Sequence, residues 1–266
     1  MLAGAGQMGG ALLEAWLDVG IDHRCLTVLE PRPSGPLVER LDRAGIVLNP
    51  LAGTRPSPDV LVLAVKPQML ERAAPDLLPY AQPGTLLISV LAGKTIADLR
   101  RALPDVGSIA RAMPNTPAAI RRGITGVAVD AAVNENQKAA IQFLLAAVGE
   151  VEWLADENLI DAVTAVSGSG PAYVFYLTEC LAKAGEAVGL EAAVAMRLAR
   201  ATVEGAGGLM AARPGDTSEM LRRNVTSPGG TTAAALDVLM MDTGGLPMLI
   251  SAAVAAAHRR AAELSG

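Results

Sequence analysis

The sequence predicts an α/β fold in its first half, a doubly wound parallel sheet, followed by an all-α second half. Three observations carry this. Short apolar runs alternate with amphipathic stretches as far as about residue 152; a glycine fingerprint opens the chain; and the strand signal stops near Trp153, after which only helical patterns remain. The division expected is therefore 1–152 and 153–266.

The elements follow in order. "MLA" is the start of a strand, cut short by "GAGQMG", and Gly10–Val19 reads as the helix behind it. "CLTVLE" (25–30), "VLVLAV" (60–65), "TLLISV" (85–90) and "ITGVAV" (124–129) are β-branched runs of strand length, with "RPSPD" (55–59) a loop entering the second of them. Pro36–Ala44 and Thr95–Leu103 read as helices between strands, which implies parallel βαβ units. Beyond residue 153, "ENLIDAVTAVSG", "PAYVFYLTECLAKAGEAVGL", "EAAVAMRLARATVEGAGGLMAA" and "LPMLISAAVAAAHRRAAELSG" are Ala-rich helices, several of them apolar on more than one face. Such helices call for a partner subunit; the alternative is a compact bundle that buries everything itself.

Composition removes several function classes. A net charge of −5 offers no broad basic face for nucleic acid. No uncharged stretch reaches the length of a membrane helix, and no basic segment precedes the first apolar run, so a cytoplasmic protein is expected. Only 3% of residues are aromatic against 51% hydrophobic, so the core must be built from Ala, Val, Leu and Met. Cys25 and Cys180 form no cluster and read as packed free thiols; His23 and His258, the two histidines, have no ligand-rich surroundings, so no metal site is expected.

Gly4, Gly6 and Gly9 fit G-x-G-x-x-G between a strand start and a helix, the context that turns a weak pattern into a dinucleotide-binding one. Ala3 through Gly9 (Ala3, Gly4, Ala5, Gly6, Gln7, Met8, Gly9) would then face the pyrophosphate, against the alternative of a simple tight turn. Glu30, 21 residues after Gly9, suits the ribose hydroxyls of NADH, whereas Arg32 and Ser34 suit the 2′-phosphate of NADPH. Ala64, Val65, Lys66 and Pro67 in "AVKPQ", and Leu91, Ala92 and Gly93 in "SVLAGK", follow two strands at their carboxyl ends, where open sheets bind ligands.

The helical half has its own signature. In "NVTSPGGTTAAALDVL" (224–239), Ser227-Pro228-Gly229-Gly230 cannot continue a helix while Thr231 onward can. Backbone N–H groups are thus directed at a small carboxylate, with hydroxyls from Ser227, Thr231 and Thr232; the alternative is an ordinary cap by Thr231 or Thr232. "SGSGPAY" (167–173) reads as a cap with Pro171 at the helix start. No His is placed to act as general base and no nucleophile–base constellation appears. A substrate that accepts hydride while already cationic, such as a protonated imine, needs none, so the chemistry favours C=N over C=O reduction.

With "GAGQMG", "AVKPQ", "SVLAGKTI", "RAMPNTPA", "DAVTAVSGSGPAYVF" and "VTSPGGTTAAAL" in this order and spacing, the whole chain resembles the pyrroline-5-carboxylate reductases, which make proline. The resemblance implies a Rossmann-type domain and a helical dimerisation domain interleaved with that of a second subunit, and in many members a decamer built from dimers. It implies NADPH as cofactor, with NADH accepted by some members, and a small-molecule substrate. On this pattern Thr232 bonds the ring nitrogen and is the catalytic candidate; the loop Ser227–Thr231, including Gly229 and Gly230, holds the carboxylate; Asn224 and Glu157 lie near the substrate; and Lys66 and Asn115 line the nicotinamide end. Leu51 replaces an Asn common near the adenosine phosphate, and Glu30 is unusual for a strict NADPH user. Family chains usually carry several more residues before the glycine turn, so the first strand reads as clipped: either the start is assigned too late, or the strand is short and its pairing weak. Two alternatives stay open at this point. A 6-phosphogluconate- or hydroxyisobutyrate-type dehydrogenase would need a catalytic lysine in the second half, where Lys183 is the only one. A dinucleotide-binding regulatory protein would need no turnover.

Overall fold

The computed structural model describes residues 1–54 and 56–265; the expected loop at 55–59 is thus described from Pro56 on, where it is irregular and leads into a strand. The chain divides into two compact units. The first comprises Met1–Gly168 and the last residues from His258 on, the second Ser169–Ala257. The boundary expected at 152/153 thus falls inside the first unit, because the helical turns after the last strand pack back on the sheet.

In the first unit the order is β1 (Leu2–Ala3), α1 (Gln7–Asp18), β2 (Thr27–Leu29), α2 (Gly35–Ala44), β3 (Val47–Leu48), β4 (Val60–Leu63), α3 (Leu70–Leu77), β5 (Leu86–Ser89), α4 (Ile96–Ala102), β6 (Ser108–Met113), β7 (Gly123–Val129), α5 (Glu135–Ala146), β8 (Gly149–Trp153) and α6 (Leu159–Val163). The sheet runs β3-β2-β1-β4-β5-β6-β7-β8. β3 to β6 of that order are parallel, but β7 runs antiparallel to β6, and β8 parallel to β7, so "ITGVAV" is not a further parallel βαβ unit. Its connection from β6 is a short 3₁₀ segment, Thr116–Ile120, too short to cross over the sheet. α1 starts at Gln7 and not at Gly10, with Gly6 as its N-cap.

Side chains alternate between two cores, one on each face. Leu2, Val28, Val62, Leu86 and Ile88 pack with Leu12, Leu13 and Trp16 of α1, while Ala3, Leu61, Leu63 and Leu87 pack with Leu70, Leu77 and Leu99. This is the double coverage a parallel sheet needs. β1 has two residues, and its neighbours bind peptide groups at both of its ends. The Met1 amine donates to Val60 O at 2.8 Å, Val62 N to Met1 O at 2.8 Å, Ala64 N to Ala3 O at 2.8 Å and Gly4 N to Leu29 O at 2.8 Å. Burial pushes the Met1 amine down to about 6, against a smaller opposing pull from Asp59.

The second unit holds α7 (Gly170–Ala187), α8 (Ala192–Ala212), α9 (Ser218–Asn224), α10 (Thr231–Leu239) and most of α11 (Leu246–Ser265). α7 and α8 form an antiparallel pair in close contact through small residues: a Cβ on Gly185 would lie 3.3 Å from that of Ala195, and Ala182, Ala195 and Ala199 are buried. Few other side chains of this unit are buried. Phe175, Tyr176, Leu177, Leu198, Leu249 and Ile250 are exposed, so the compact self-sufficient bundle does not form. Both thiols are exposed rather than packed: Cys25 lies in a 3₁₀ turn and Cys180 on α7. No helix among the described residues is long and apolar enough to cross a membrane.

Candidate cofactor and substrate sites

The carboxyl ends of β1, β2, β4, β5 and β6 lie along one edge of the sheet, and β1 and β4 flank the point where strand order reverses. That is where open α/β sheets bind ligands. The expected cofactor residues all fall at this edge: Ala3 at the end of β1, Gly4–Gly6 in the turn after it and Gln7–Gly9 in the first turn of α1, Arg32 and Ser34 after β2, Ala64–Pro67 after β4, Leu91–Gly93 after β5 and Asn115 after β6.

The three glycines of the first turn are required for different reasons. Gly4 has φ +91°, and a Cβ there would meet Ala64 O at 2.7 Å; a Cβ on Gly9 would stand 2.0 Å from Gly4 O. Both are dictated by the protein's own packing, which sets α1 close to β1 and β4. Gly6 has nothing within 4 Å of its absent side chain and lies exposed at the N-cap of α1 with no side chain capping the helix. The fold has no need of a glycine at this position. A pyrophosphate lying against the backbone and the free first-turn amides would need one, so the turn is open to such a ligand.

Glu30 is folded back onto the turn. Its Oε2 accepts from Ala5 N at 3.0 Å and its Oε1 from Arg32 N at 3.2 Å. Asn49, a residue the sequence reading missed, fixes the same segment: Glu30 N donates to Asn49 Oδ1 at 2.8 Å and Asn49 Nδ2 to Glu30 O at 2.8 Å. Arg32 is exposed and has no ion-pair partner among the described residues, and Ser34 caps α2 by accepting from Leu37 N at 3.3 Å. The carboxylate thus serves two backbone donors, while the guanidinium and the α2 N-terminus are left facing solvent.

The remaining positions divide. Lys66 is exposed at the start of a 3₁₀ turn and makes no side-chain bond among the described residues. Ala3 and Leu91 point into the core and offer a ligand only their backbone. Asn115 is occupied at both ends, with Nδ2 donating to Ser167 O at 3.2 Å and Oδ1 accepting from Ile124 N at 3.0 Å, so it shapes this edge rather than presenting a free amide. Glu157 is likewise engaged: Oε1 accepts from Ile96 N at 2.7 Å and from Arg111 at 3.0 Å.

In the second unit Gly229 takes φ +70° and Gly230 N donates to Ser227 O at 3.0 Å, closing a turn that delivers the chain into α10. The N-cap is Gly230, and no side chain caps the helix; neither Thr231 nor Thr232 performs the ordinary capping role. The first-turn amides of α10 are therefore free, with the hydroxyls of Ser227, Thr231 and Thr232 beside them and Asn224 exposed at the end of α9. Free amides and hydroxyls at a helix N-terminus make a receptor for a small anion.

Residues 157–264 match the family described as pyrroline-5-carboxylate reductase dimerisation. Residues 1–93 match the family described as NADP oxidoreductase, coenzyme F420-dependent. The pyrroline-5-carboxylate reductase of Pseudomonas aeruginosa is 39% identical over 262 residues, spanning 98% of this chain and 95% of that protein. The chain belongs to the pyrroline-5-carboxylate reductase family. The reductase of Mycobacterium tuberculosis is 37% identical across 99% of this chain and 95% of its own length. Among solved structures, the reductase of Coxiella burnetii superposes with a TM-score of 0.89 at 34% identity, covering all of this chain and 97% of that one. The Plasmodium falciparum pyrroline carboxylate reductase with NADP bound has a TM-score of 0.80 at 27% identity, covering all of this chain and 97% of that one. The second unit of this family member is thus, over most of its length, its dimerisation domain, which accounts for the apolar faces left bare there.

Proposed function

We propose that the chain reduces 1-pyrroline-5-carboxylate to L-proline with NADPH. The observation that carries this is the uncapped N-terminus of α10, whose free amides and three hydroxyls form a receptor for the carboxylate of a small cyclic imino acid. Bound NADPH would supply the hydride, delivered to the C=N carbon of the iminium, the ring carbon on the far side of the nitrogen from the carboxylate-bearing carbon, and the nitrogen keeps its proton to become the secondary amine. Thr232 accepts a hydrogen bond from that ring N–H, and the loop Ser227–Thr231 with Gly229 and Gly230 neutralises the carboxylate. Asn224 supports the same loop. Alignment of the reacting carbon is the chain's main contribution, since the iminium is already protonated and no general base is required.

For the cofactor, Ala3–Gly9 would cradle the pyrophosphate, Arg32 and Ser34 would receive the 2′-phosphate, and Ala64–Pro67 with Leu91–Gly93 and Asn115 would border the nicotinamide half. Glu30's engagement by two amides supports NADPH over NADH, because both of its oxygens already accept from backbone donors and are turned toward the glycine loop. NADH would remain a poorer donor. We further propose that the working unit is a cytoplasmic homodimer formed through the second unit, with a decamer built from such dimers as the larger assembly the family resemblance implies.

Thr232→Ala tests the chemical assignment. Loss of one hydrogen bond to a charged ring nitrogen should lower turnover about tenfold or more, and kinetics equal to the unmodified protein would remove Thr232 from the mechanism.

A further inference from the structure

Arg111 stands in the interior of β6 with its side chain only 4% exposed. A buried guanidinium is costly unless paired, and its partners come from two distant parts of the sequence. One terminal nitrogen donates to Glu157 Oε1 at 3.0 Å. The other donates to Ser265 Oγ at 3.4 Å and lies 3.6 Å from Asp161 Oδ1, which accepts from the Ser265 hydroxyl at 3.1 Å. Arg111 Nε has no hydrogen-bond partner among the described residues. Apolar packing would stabilise this position at least as well as an incompletely bonded ion cluster, so stability alone does not account for it.

Both arms of the cluster end on the loop that follows β5. Glu157 Oε1 also accepts from Ile96 N at 2.7 Å, which pins the exit of that loop at the start of α4. Leu264, beside Ser265, lies over its middle: a Cβ on Gly93 would stand 2.9 Å from Leu264 O and 3.1 Å from Leu264 Cβ, and Gly93 holds φ +68°. The loop is thus clasped at two points by groups that converge on one buried cation. We propose that Arg111 is a positioning residue for residues 90–95, setting the shape of this loop for the dinucleotide through Glu157 on one side and Ser265 with Leu264 on the other. Glu157 then acts on the cofactor loop and not on the substrate. The proposal rests on the reading that Leu91–Gly93 border the cofactor.

The test measures NADPH affinity without substrate, by nicotinamide fluorescence, and amide exchange of residues 90–96 in the cofactor-free protein. The variants are Glu157→Ala, Glu157→Gln, Arg111→Lys and Gly93→Ala. Glu157→Ala should weaken NADPH about tenfold, the scale of one charge-assisted hydrogen bond, speed exchange at 90–96 and leave the KM for the imino acid unchanged. Glu157→Gln, which keeps an acceptor for Ile96 N, should recover much of that loss. Arg111→Lys should follow Glu157→Ala; if it does not fold, the Glu157 pair decides alone. Unchanged affinity and exchange in folded Glu157→Ala, or a rise confined to the imino-acid KM, would overturn the proposal. Gly93→Ala separates the premise: if it leaves NADPH affinity intact, the loop does not border the cofactor; if it weakens NADPH while the Glu157 and Arg111 variants do not, the positioning role alone falls.

Discussion

Gly6 and Gly9 differ by three positions and are constrained by different things. A methyl on Gly9 would overlap the Gly4 carbonyl, whereas one on Gly6 enters open space. Gly9→Ala should therefore destabilise the fold by about 1–3 kcal/mol or more, visible in denaturant unfolding. Gly6→Ala should leave unfolding unchanged and weaken NADPH binding about tenfold or more, as expected when the backbone can no longer approach a pyrophosphate. A Gly6→Ala protein that binds NADPH normally would contradict the cradle. On the proposed reading the ribose end also turns on single side chains. Arg32→Ala should raise the KM for NADPH about tenfold to a hundredfold, the range for a lost bond to a charged group, and barely move that for NADH. The glycine turn and the place of Arg32 just after β2 were legible in the sequence because a motif and its distance from the next strand define them. The turn of Glu30 onto Ala5 N was not, since it depends on Asn49, nineteen positions away and held at φ +48°.

Elements show where local chemistry suffices. Thr95 caps α4 and Asp98 returns the bond: Asp98 N donates to Thr95 Oγ1 at 3.1 Å and Thr95 N to Asp98 Oδ2 at 3.0 Å. Burial alone would raise the Asp98 carboxyl; the Thr95 amide and hydroxyl and the Arg101 guanidinium outweigh it and hold it below the ordinary carboxylate range. Because the folded-state value is depressed, the stabilisation is present above about pH 4, where an unfolded Asp is ionised, and is lost as pH falls through the folded value. Thr95→Ala should cost about 1 kcal/mol at neutral pH, and Asp98→Asn should flatten the acid limb of the stability–pH curve. Thr95 to Leu103 was readable because cap, helix and stop lie within nine residues. β3 has two residues, and β8 alternates Glu with apolar side chains at the sheet margin, so neither stands out as an apolar run. β6 carries the charged Arg111 in its middle, which masks a buried strand; the direction of β7 depends on the length of its connection and not on its own residues.

At the scale of the whole molecule, the second unit leaves Phe175 63% and Tyr176 65% exposed on α7, beside Leu177 and Leu181. An apolar surface of this extent marks an association face, and this segment belongs to the family's dimerisation domain. Phe175→Asp should shift the protein toward monomer in sedimentation velocity and depress activity with it; an unchanged sedimentation coefficient would place the contact elsewhere. That a partner is needed was evident from helices apolar on more than one face, whereas the return of the chain from His258 into the first unit was not, because nothing local marks a helix that leaves one unit for another. The central claim is that the chain reduces a cyclic imino acid with NADPH. Its most direct test is the initial rate of nicotinamide oxidation with 1-pyrroline-5-carboxylate, run in parallel with NADPH and NADH. Turnover to proline with a higher kcat/KM for NADPH is the expected result. NADPH binding without turnover with either donor would contradict the claim and leave a dinucleotide-binding protein without this chemistry.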